Sequence, residues 1–333
     1  MRVLLVYGGP SAEHDVSRAS AAGVRAALGA AGYDVLEAEV GEDGRWRSGA
    51  EHLSPFGGAP DVDVVFPLIH GPFGEDGALQ GLLEWCRVPY VGSGVYGSAV
   101  AMDKGVMKAV LSAAGLPSVR FELVERPDLQ DGREVLDRCE ALGPYPRFVK
   151  PARLGSSVGI GRALDDSGLL AALAAAARYD DRLLVEEGVS GRELECGVVS
   201  GASGLMTSVV GEIRHTRSFY DYTAKYDPAS GTRLVVPAPL DEGATAQVHA
   251  LAAAAFRALQ ARDLARVDFF LADDGRLLVN ELNTLPGFTP SSMFPLLWQA
   301  SGVGAADLAR TLVESALRRG ARLGPGGAGT GSA

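Results

Sequence analysis

Residues 266–283 read RVDFFLADDGRLLVNELN, two apolar runs that flank an Asp-Gly pair at positions 274 and 275. An Asp-Gly pair between apolar runs is a strong signal for a β-hairpin with a two-residue turn. With those two residues as the turn, counting back along both strands sets Asp268 directly opposite Glu281. Because side chains alternate between the faces of a strand, Asn283 lies on the same face as Glu281.

Two carboxylates and an amide on one face of a hairpin form a candidate metal site. Like charges directly opposite each other destabilise a sheet. Hard oxygen ligands without His or Cys suit Mg²⁺ that substrate phosphates also hold. The alternative is a solvated acidic edge with no ligand. The sequence therefore predicts that Asp268, Glu281 and Asn283 bind magnesium.

A loop of small residues follows a strand that ends in a lysine. The segment Lys150–Gly161 reads KPARLGSSVGIG. Glycine and serine let backbone N–H groups approach an anion, and the lysine supplies positive charge. The loop has neither the Gly-Lys-Ser/Thr of a Walker A motif nor GxGxxG spacing, and alone it could be a plain turn. Beside a magnesium site, it predicts binding of nucleotide phosphates.

The segment Ser218–Pro228, SFYDYTAKYDP, is rich in aromatic residues that follow no helical or strand period. Aromatic side chains that pack in a core usually repeat with such a period. We therefore predict a lid over residues 217–230 that is mobile without nucleotide and closes over the site.

The N-terminal sequence alternates strand and helix patterns, which is typical of an open α/β sheet. Such sheets bind ligands at the carboxyl ends of their strands. Two polar clusters follow strands one and three, GGPSAEH at residues 8–14 and HGPFGEDG at residues 70–77. Glu13 could favour the helix dipole or bind a substrate ammonium group. His70 could pack in the core or bind substrate.

Composition excludes several functional classes. The 333 residues carry a formal charge of −10 and three cysteines far apart in sequence. An acidic chain without a basic run argues against nucleic-acid binding. The cysteines suggest neither a disulfide framework nor a zinc site. Without a signal peptide or an apolar run of membrane-spanning length, we expect a cytoplasmic protein that does not associate with membranes.

With these motifs in order along the chain, the sequence resembles the D-alanine:D-alanine ligases of the ATP-grasp superfamily. The resemblance extends from Val3 to about Gly302. It is carried by eight segments: Gly8–Glu13, His70–Gly81, Gly92–Gly94, Ala101–Lys104, Val149–Pro151, Gly155–Gly159, Phe219–Tyr226 and Glu281–Thr289.

The resemblance implies an α/β ATP-grasp fold whose C-terminal part is α+β. An N-terminal α/β domain would span residues 1–98, a central domain residues 99–187 and a C-terminal domain residues 188–322, with ATP between the last two domains. Residues 323–333 would form a disordered tail. The implied reaction forms an acyl phosphate from one D-alanine and ATP, which the amine of a second D-alanine attacks. The family also implies two Mg²⁺ ions, replaceable by Mn²⁺, and a homodimer.

The resemblance assigns roles to individual residues. Those implied in ATP binding are Lys104, Lys150, Ser156, Ser157, Glu186, Glu187, Val189, Glu193, Phe219, Lys225 and Asn283. Those implied in substrate binding are Glu13, His70, Arg266, Ser292 and Met293. Glu13, Ser156 and Tyr226 would form a hydrogen-bonded chain at the catalytic centre. Arg266 and the Gly287 N–H would stabilise the oxyanion that develops during acyl transfer.

Three positions depart from the family pattern, and two of them, Leu154 and Ser291, leave the second substrate open. Glu187 stands where a Lys is common, Leu154 where an acidic residue is frequent, and Ser291 where relatives have another polar or bulky residue. An alternative is therefore a ligase that joins D-alanine or another amino acid to D-serine, D-lactate or a specialised amino acid. A nucleotide-binding regulator without catalysis is disfavoured because the metal and oxyanion residues are intact.

Overall fold

The structure, a computed structural model, describes residues 1–54, 61–156, 158–214 and 231–323, and these form three sheets. Each sheet lies within one of the three predicted domains. The boundary predicted after residue 98 falls inside a helix, whereas the boundary after residue 187 coincides with the end of a strand. The division into domains stays a prediction. No helix in the described ranges is long and apolar enough to cross a membrane.

The N-terminal sheet has the strand order β4-β3-β2-β1-β5. Its strands are β1 (Arg2–Gly8), β2 (Asp34–Val40), β3 (Trp46–Ser48), β4 (Glu51–Leu53) and β5 (Val64–Pro67). β2, β1 and β5 are parallel, as expected for an open α/β sheet, and α1 (His14–Ala30) connects β1 to β2. β3 and β4 form an antiparallel hairpin.

A pair of short helices occupies residues 95–113. After α2 (Ala78–Trp85), α3 (Val95–Met102) ends and α4 (Lys104–Ala113) begins. The extended backbone of Asp103 (φ −83°, ψ 101°) separates them. Its side chain accepts a 3.0 Å hydrogen bond from the Val106 N–H, so Asp103 caps α4. The break places Lys104 at the first position of the second helix.

The central sheet is antiparallel, with the order β6-β9-β7-β8. Its strands are β6 (Phe121–Glu125), β7 (Arg147–Pro151), β8 (Gly161–Ala163) and β9 (Arg182–Glu187). The helices of this layer are α5 (Gly132–Cys139) and α6 (Asp166–Ala176), with short 3₁₀ turns at Arg126–Gln130 and Glu140–Leu142. The small-residue loop lies between β7 and β8.

The C-terminal sheet is also antiparallel, with the order β12-β11-β10-β13-β14. Its strands are β10 (Gly191–Gly201), β11 (Gly204–Arg214), β12 (Arg233–Val235), β13 (Leu264–Ala272) and β14 (Leu277–Asn283). Its helices are α7 (Glu242–Ala258), α8 (Met293–Ala300) and α9 (Ala305–Leu323). Because α9 includes residue 323, the predicted start of the tail is one residue too early; residues 324–333 lie outside the described ranges.

Shared cores fix the N-terminal sheet against the C-terminal helices. Val248, Ala252 and Phe256 recur at helical spacing on α7 and pack on β10, β13 and β14. A second cluster joins side chains of β1, β5 and α1 to Phe294 of α8 and Leu312 of α9. The carboxyl ends of the N-terminal strands therefore have a fixed position relative to the end of β14.

Candidate active site

The β13–β14 hairpin has the predicted carboxylate pair but not the predicted turn. Asp268 lies opposite Glu281. At the other end, however, the Ala272 N–H donates to the Arg276 carbonyl (2.8 Å), so the loop has three residues and its last, Gly275, has φ +86°. A three-residue loop that ends in a left-handed glycine is the next most common hairpin connection. The two-residue turn was therefore wrong.

A β-bulge restores the register before the site. The pairing changes by one residue between Asp268 and Phe269, so that Phe269 lies opposite Val279 and Asn280 is the extra residue. The loop takes one more residue from β13 than predicted, and the bulge adds one residue to β14. The two differences cancel, so Asp268 still lies opposite Glu281. Bulges often redirect a side chain next to an active site. Here, Asn280 Oδ1 accepts a 3.4 Å hydrogen bond from Lys150 Nζ of the central sheet.

Arg266 neutralises the acidic face of the hairpin. Its Nε and Nη2 each donate to a carboxylate oxygen of Asp268 at 2.7 Å. Its Nε also lies 3.0 Å from Glu195 Oε2. Burial opposes the positive charge, but Asp268, Glu195 and Glu281 outweigh it and raise the pKa of Arg266 well above its usual value. The guanidinium is therefore a permanent cation in the cleft.

Glu195 is a site residue that sequence analysis missed. Along β10 it lies opposite Asp268, which on the other side lies opposite Glu281, so three adjacent strands each contribute one carboxylate. The pairing of β10 with β13 brings Glu195 here, and only the sheet order shows it. Even so, in the described ranges no group of three or more His, Cys, Asp or Glu side chains is arranged to hold a metal ion. The predicted metal set remains two carboxylates and the Asn283 amide.

Lys104 joins the hairpin to the small-residue loop. Its Nζ lies 3.5 Å from Glu281 Oε2 and donates to the Leu154 carbonyl at 2.8 Å. Leu154 thus contributes a backbone oxygen to this contact. The ammonium group lies between the predicted metal ligands and the predicted phosphate loop.

A second lysine of α4, Lys108, forms a buried triad with Glu186 and Lys150. Lys108 Nζ lies 2.9 Å from Glu186 Oε1, and Lys150 Nζ lies 2.6 Å from Oε2. Burial alone would raise the pKa of Glu186, but the two lysines outweigh it and lower the pKa to about 2. Burial lowers the pKa of Lys108, whereas the carboxylates around Lys150 overcome burial and raise its pKa. Sequence analysis missed Lys108, although its spacing from Lys104 puts both lysines on one helix face.

A single cleft between the central and C-terminal sheets collects seven of the predicted residues. The predicted residues that line it are Lys104, Lys150, Ser156, Glu193, Arg266, Asp268 and Glu281. An adjoining cleft shares Lys150 and Glu193 and adds Glu186, Glu187 and Val189, with Phe148 and Ile160 as apolar walls. Asn283, Gly287, Ser292 and Met293 do not line either cleft in the described part of the chain; they lie at the end of β14 and after it.

The carboxylate of Glu187 is engaged by two arginines. It accepts from the Arg120 N–H (3.1 Å) and guanidinium (2.8 and 3.0 Å), and Arg276 lies 3.7 Å away. Burial opposes its charge, but Arg120 and Arg276 outweigh burial and lower the pKa of Glu187. Position 187 thus has a carboxylate with two arginine cations beside it.

Glu13 reaches the phosphate loop instead of the end of its own helix. It precedes α1 but makes no side-chain cap there; its Oε1 accepts a short hydrogen bond from Ser156 Oγ. Ser156 has the left-handed φ of +53°, a conformation that is rare for serine and is concentrated at functional sites. Two members of the predicted chain are therefore in contact. The third, Tyr226, lies outside the described residues, as do Ser157, Phe219, Lys225 and the whole predicted lid.

Near Glu13, Glu75 is a carboxyl group with a strongly shifted pKa. Its Oε1 accepts a 2.7 Å hydrogen bond from the Gly71 N–H. Burial, reinforced by the charge of Glu13, raises the pKa of Glu75 from 4.5 to about 8. The group is therefore protonated in the folded protein at neutral pH.

We expect this shift to make stability depend on pH. Between pH 4.5 and 8 the folded chain keeps the Glu75 proton and the unfolded chain releases it, so stability falls as the pH rises through this window. In thermal unfolding scans, Glu75→Gln should remove this component, giving a Tm about 5 °C less sensitive to pH across the window than wild type. Glu51→Gln, at an exposed position of β4, is the control. Equal slopes for Glu75→Gln and wild type would contradict the assignment.

The loop after β14 is fastened by hydrogen bonds of its own. Asn283 Oδ1 accepts from the Leu285 N–H (3.0 Å). Ser292, the residue before α8, accepts from the Thr289 N–H (3.1 Å), and Met293 is buried. These bonds set the backbone path on either side of residue 287.

His70 is buried at the end of β5 and contacts this loop. Its Nδ1 lies 3.0 Å from the Leu285 carbonyl and its Nε2 lies 3.3 Å from Ser20 Oγ. Binding of substrate by His70 stays a prediction. The contacts show that His70 links the N-terminal sheet to the loop after β14.

Two sequence families match the chain. The one described as "D-ala D-ala ligase N-terminus" matches residues 56–93, and the one described as "D-ala D-ala ligase C-terminus" matches residues 110–314. Among curated proteins, a D-alanine–D-alanine ligase of Solibacter usitatus is 45% identical, covering 96% of each chain. One of Geobacillus thermodenitrificans is 43% identical, again covering 96% of each chain.

Solved structures of similar proteins extend over nearly the whole fold. The D-alanine–D-alanine ligase of Coxiella burnetii superposes with a TM-score of 0.83 at 32% identity, covering 97% of each chain. The VanG D-Ala:D-Ser ligase of Enterococcus faecalis superposes with a TM-score of 0.84 at 29% identity, covering 95% of this chain and 99% of that one.

Proposed function

The chain belongs to the D-alanine–D-alanine ligase family, and on this basis we propose how its own residues carry out the ligation. It is an ATP-dependent enzyme with the ATP-grasp fold that joins two D-alanine molecules for peptidoglycan precursor synthesis. The fold and function expected from the sequence are therefore confirmed. The curated relatives quoted above are named for D-alanine, and no described residue favours D-serine or D-lactate as the second substrate.

The cleft between the central and C-terminal sheets is the observation that supports the residue assignments. An acidic chain can bind a polyanion only where its charge is locally reversed. Lys104, Lys150 and Arg266 line the cleft and, together with bound metal ions, would provide that reversal. We propose that Lys104, Lys150 and the backbone around Ser156 and Ser157 hold the ATP phosphates, with Lys225 approaching from the predicted lid.

The adjoining cleft suits the nucleoside. Phe148, Ile160 and Val189 supply apolar contact surface for a base. We assign the adenine to the strand and loop of residues 186–189 and the ribose hydroxyls to Glu193, with Phe219 assigned to the base by resemblance alone. The two clefts share Lys150 and Glu193, so a base in one and phosphates in the other belong to a single ligand.

The metal ligands fit a hard divalent cation. Asp268 and Glu281 are adjacent carboxylates on neighbouring strands that face the cleft, and Asn283 follows on the same face. Oxygen donors without nitrogen or sulfur are those that Mg²⁺ prefers, and Mn²⁺ accepts the same set. We propose two Mg²⁺ ions here, which when bound neutralise and align the phosphates.

The remaining residues bind and orient the amino acids. We propose that Glu13, held by Ser156 and further by Tyr226, binds the ammonium of the first D-alanine, with His70 near the same substrate. As the second amine attacks the acyl carbon, negative charge grows on the acyl oxygen. The Arg266 guanidinium and the Gly287 N–H stabilise that charge. Ser292 and Met293 are assigned to the carboxylate of the second D-alanine, whose amine then attacks a carbon already held in place.

We also propose a homodimer in the cytoplasm, where ATP and D-amino acids are available as small-molecule substrates. The dimer and the cytoplasmic location are both assigned on the family resemblance.

The function predicts turnover with D-alanine as the only amino acid. ADP release should require D-alanine, and mass spectrometry should identify a product of two alanines with one water lost. Parallel reactions with D-alanine plus D-serine or D-lactate test the second site. Absence of turnover with D-alanine alone, together with turnover in a mixed reaction, would replace the D-alanine dipeptide with the mixed product.

A further inference from the structure

Ser20 is a fully buried serine of α1 that contacts two other parts of the chain. Its Oγ accepts a hydrogen bond from the Phe288 N–H (3.2 Å) and lies 3.3 Å from His70 Nε2. A buried hydroxyl costs free energy unless it is hydrogen-bonded, so these contacts explain why a polar residue is tolerated there. Through Ser20, α1 of the N-terminal layer is joined to the loop that follows β14.

When the His70 ring is neutral, the contacts set the direction of each hydrogen bond. The Leu285 carbonyl can only accept, so His70 Nδ1, 3.0 Å away, is the ring nitrogen that carries the proton. In the neutral ring, Nε2 is then an acceptor and receives the Ser20 hydroxyl proton. The Ser20 oxygen remains available to accept from the Phe288 N–H. One relay thus runs from Phe288 through Ser20 and His70 to Leu285.

This relay holds the backbone on both sides of Gly287. The carbonyl of Leu285 is fixed on one side and the N–H of Phe288 on the other. Between them lies Pro286, whose ring limits φ to a narrow range. The peptide unit that carries the Gly287 N–H therefore has little freedom to rotate away from its direction.

We propose that Ser20, acting through His70 and the backbone of Phe288, is a positioning residue for acyl transfer. The inference rests on the proposed function, which gives the Gly287 N–H its part in stabilising the oxyanion. A donor of this kind is effective only when it is already aimed at the developing charge. Ser20 does not touch substrate, so its loss should affect turnover without affecting nucleotide binding.

The chain supplies a matched control for this idea. Ser17 is also fully buried on α1; its Oγ donates to the Leu68 carbonyl (2.5 Å) and accepts from the Gly8 N–H (2.8 Å). Ser17→Ala and Ser20→Ala each remove a buried hydroxyl with two hydrogen bonds, but only Ser20 contacts the loop after β14. We expect Ser20→Ala to lower kcat about tenfold with KM for ATP within about twofold of wild type. Ser17→Ala should lower Tm to a similar extent and leave kcat within about twofold of wild type.

A second pair of variants covers the case in which Ser20→Ala does not fold. Thr and Val have nearly the same shape, and only Thr keeps the hydroxyl, so Ser20→Thr should retain several times the kcat of Ser20→Val. The inference would be overturned if Ser17→Ala and Ser20→Ala had equal kcat. It would also be overturned if Ser20→Thr and Ser20→Val had equal kcat. Wild-type enzyme assayed alongside separates the two hypotheses: if it forms no D-alanine dipeptide, the proposed function fails, whereas active wild type with equal variants refutes only the role of Ser20.

Discussion

Replacing Glu281 with glutamine should lower kcat/KM for ligation about a thousandfold, because a metal-binding carboxylate supplies several kcal/mol of charge stabilisation to the reaction. Glutamine keeps the size of the side chain and one oxygen but removes the negative charge. The Mg²⁺ concentration for half-maximal activity should rise as well. Steady-state assays across a Mg²⁺ titration measure both effects.

The same hairpin offers a control for this variant. Asp274 lies at the exposed loop, where its carboxylate pairs with Arg276 at 2.8 Å. Asp274→Asn removes a negative charge from the same hairpin at a residue that lines neither cleft, and it should leave activity and Mg²⁺ dependence unchanged. If Glu281→Gln keeps the wild-type Mg²⁺ dependence, Glu281 is not a metal ligand, whatever its effect on rate.

Replacing Lys108 with methionine should lower the free energy of unfolding by about 1–3 kcal/mol, the usual cost of leaving a buried hydrogen-bonding group without its partner. Glu186 would retain only Lys150, which would then be held more tightly away from ATP. We therefore expect a higher KM for ATP in addition to the loss of stability. Urea unfolding and steady-state kinetics measure the two effects separately.

Two further variants identify charge as the cause. Glu186→Gln leaves Lys108 and Lys150 as two buried cations without their shared carboxylate, whereas Lys108→Met leaves one ion pair intact, so Glu186→Gln should be the less stable of the two. Arg310→Met, which removes an exposed pair with Asp307 on α9, should cost at most about 1 kcal/mol. A Lys108→Met protein as stable as Arg310→Met would refute the role of the triad.

The triad also predicts sensitivity to acid. Because the folded-state pKa of Glu186 is lowered to about 2, its stabilising contribution is complete above pH 4.5 and is lost as the pH falls toward 2. Lys108→Met removes part of that contribution, so its unfolding free energy should decline less steeply below pH 4.5 than that of wild type. Equal decline in both proteins would contradict this origin of the acid sensitivity.

The sequence predicted those parts of the fold that are local. β5 has an unbroken apolar run that is typical of a buried parallel strand, and the β13–β14 hairpin has a strong turn signal. The break at Asp103 is hard to recognise in the sequence because a single capping residue between two helices leaves the helical pattern almost intact. Glu195 was missed because its nearness to Asp268 depends on the order of strands in a sheet.

The bulge in β14 could have been found in the sequence. The core positions of this strand are Leu277, Val279 and Leu282, a spacing of two followed by three. Strict alternation counted back from Leu282 would put Asn280 in the core opposite Phe269, where its amide would have no polar surroundings. The change of phase is therefore the signature of an extra residue. Counting from a two-residue turn conceals the bulge, because that count also places Asp268 opposite Glu281.

The bulge also bears on how the length of this hairpin can change. With Asn280 deleted, Val279 would directly precede Glu281, and the two strands would pair regularly from the loop to Asp268. Every remaining side chain would keep its face, so the carboxylate pair would survive the loss of a residue only one position away. What would disappear is the amide oxygen beside Lys150. Deletion of Asn280 is therefore a conservative change in β14. The length of the chain can vary there without disturbing the proposed metal ligands.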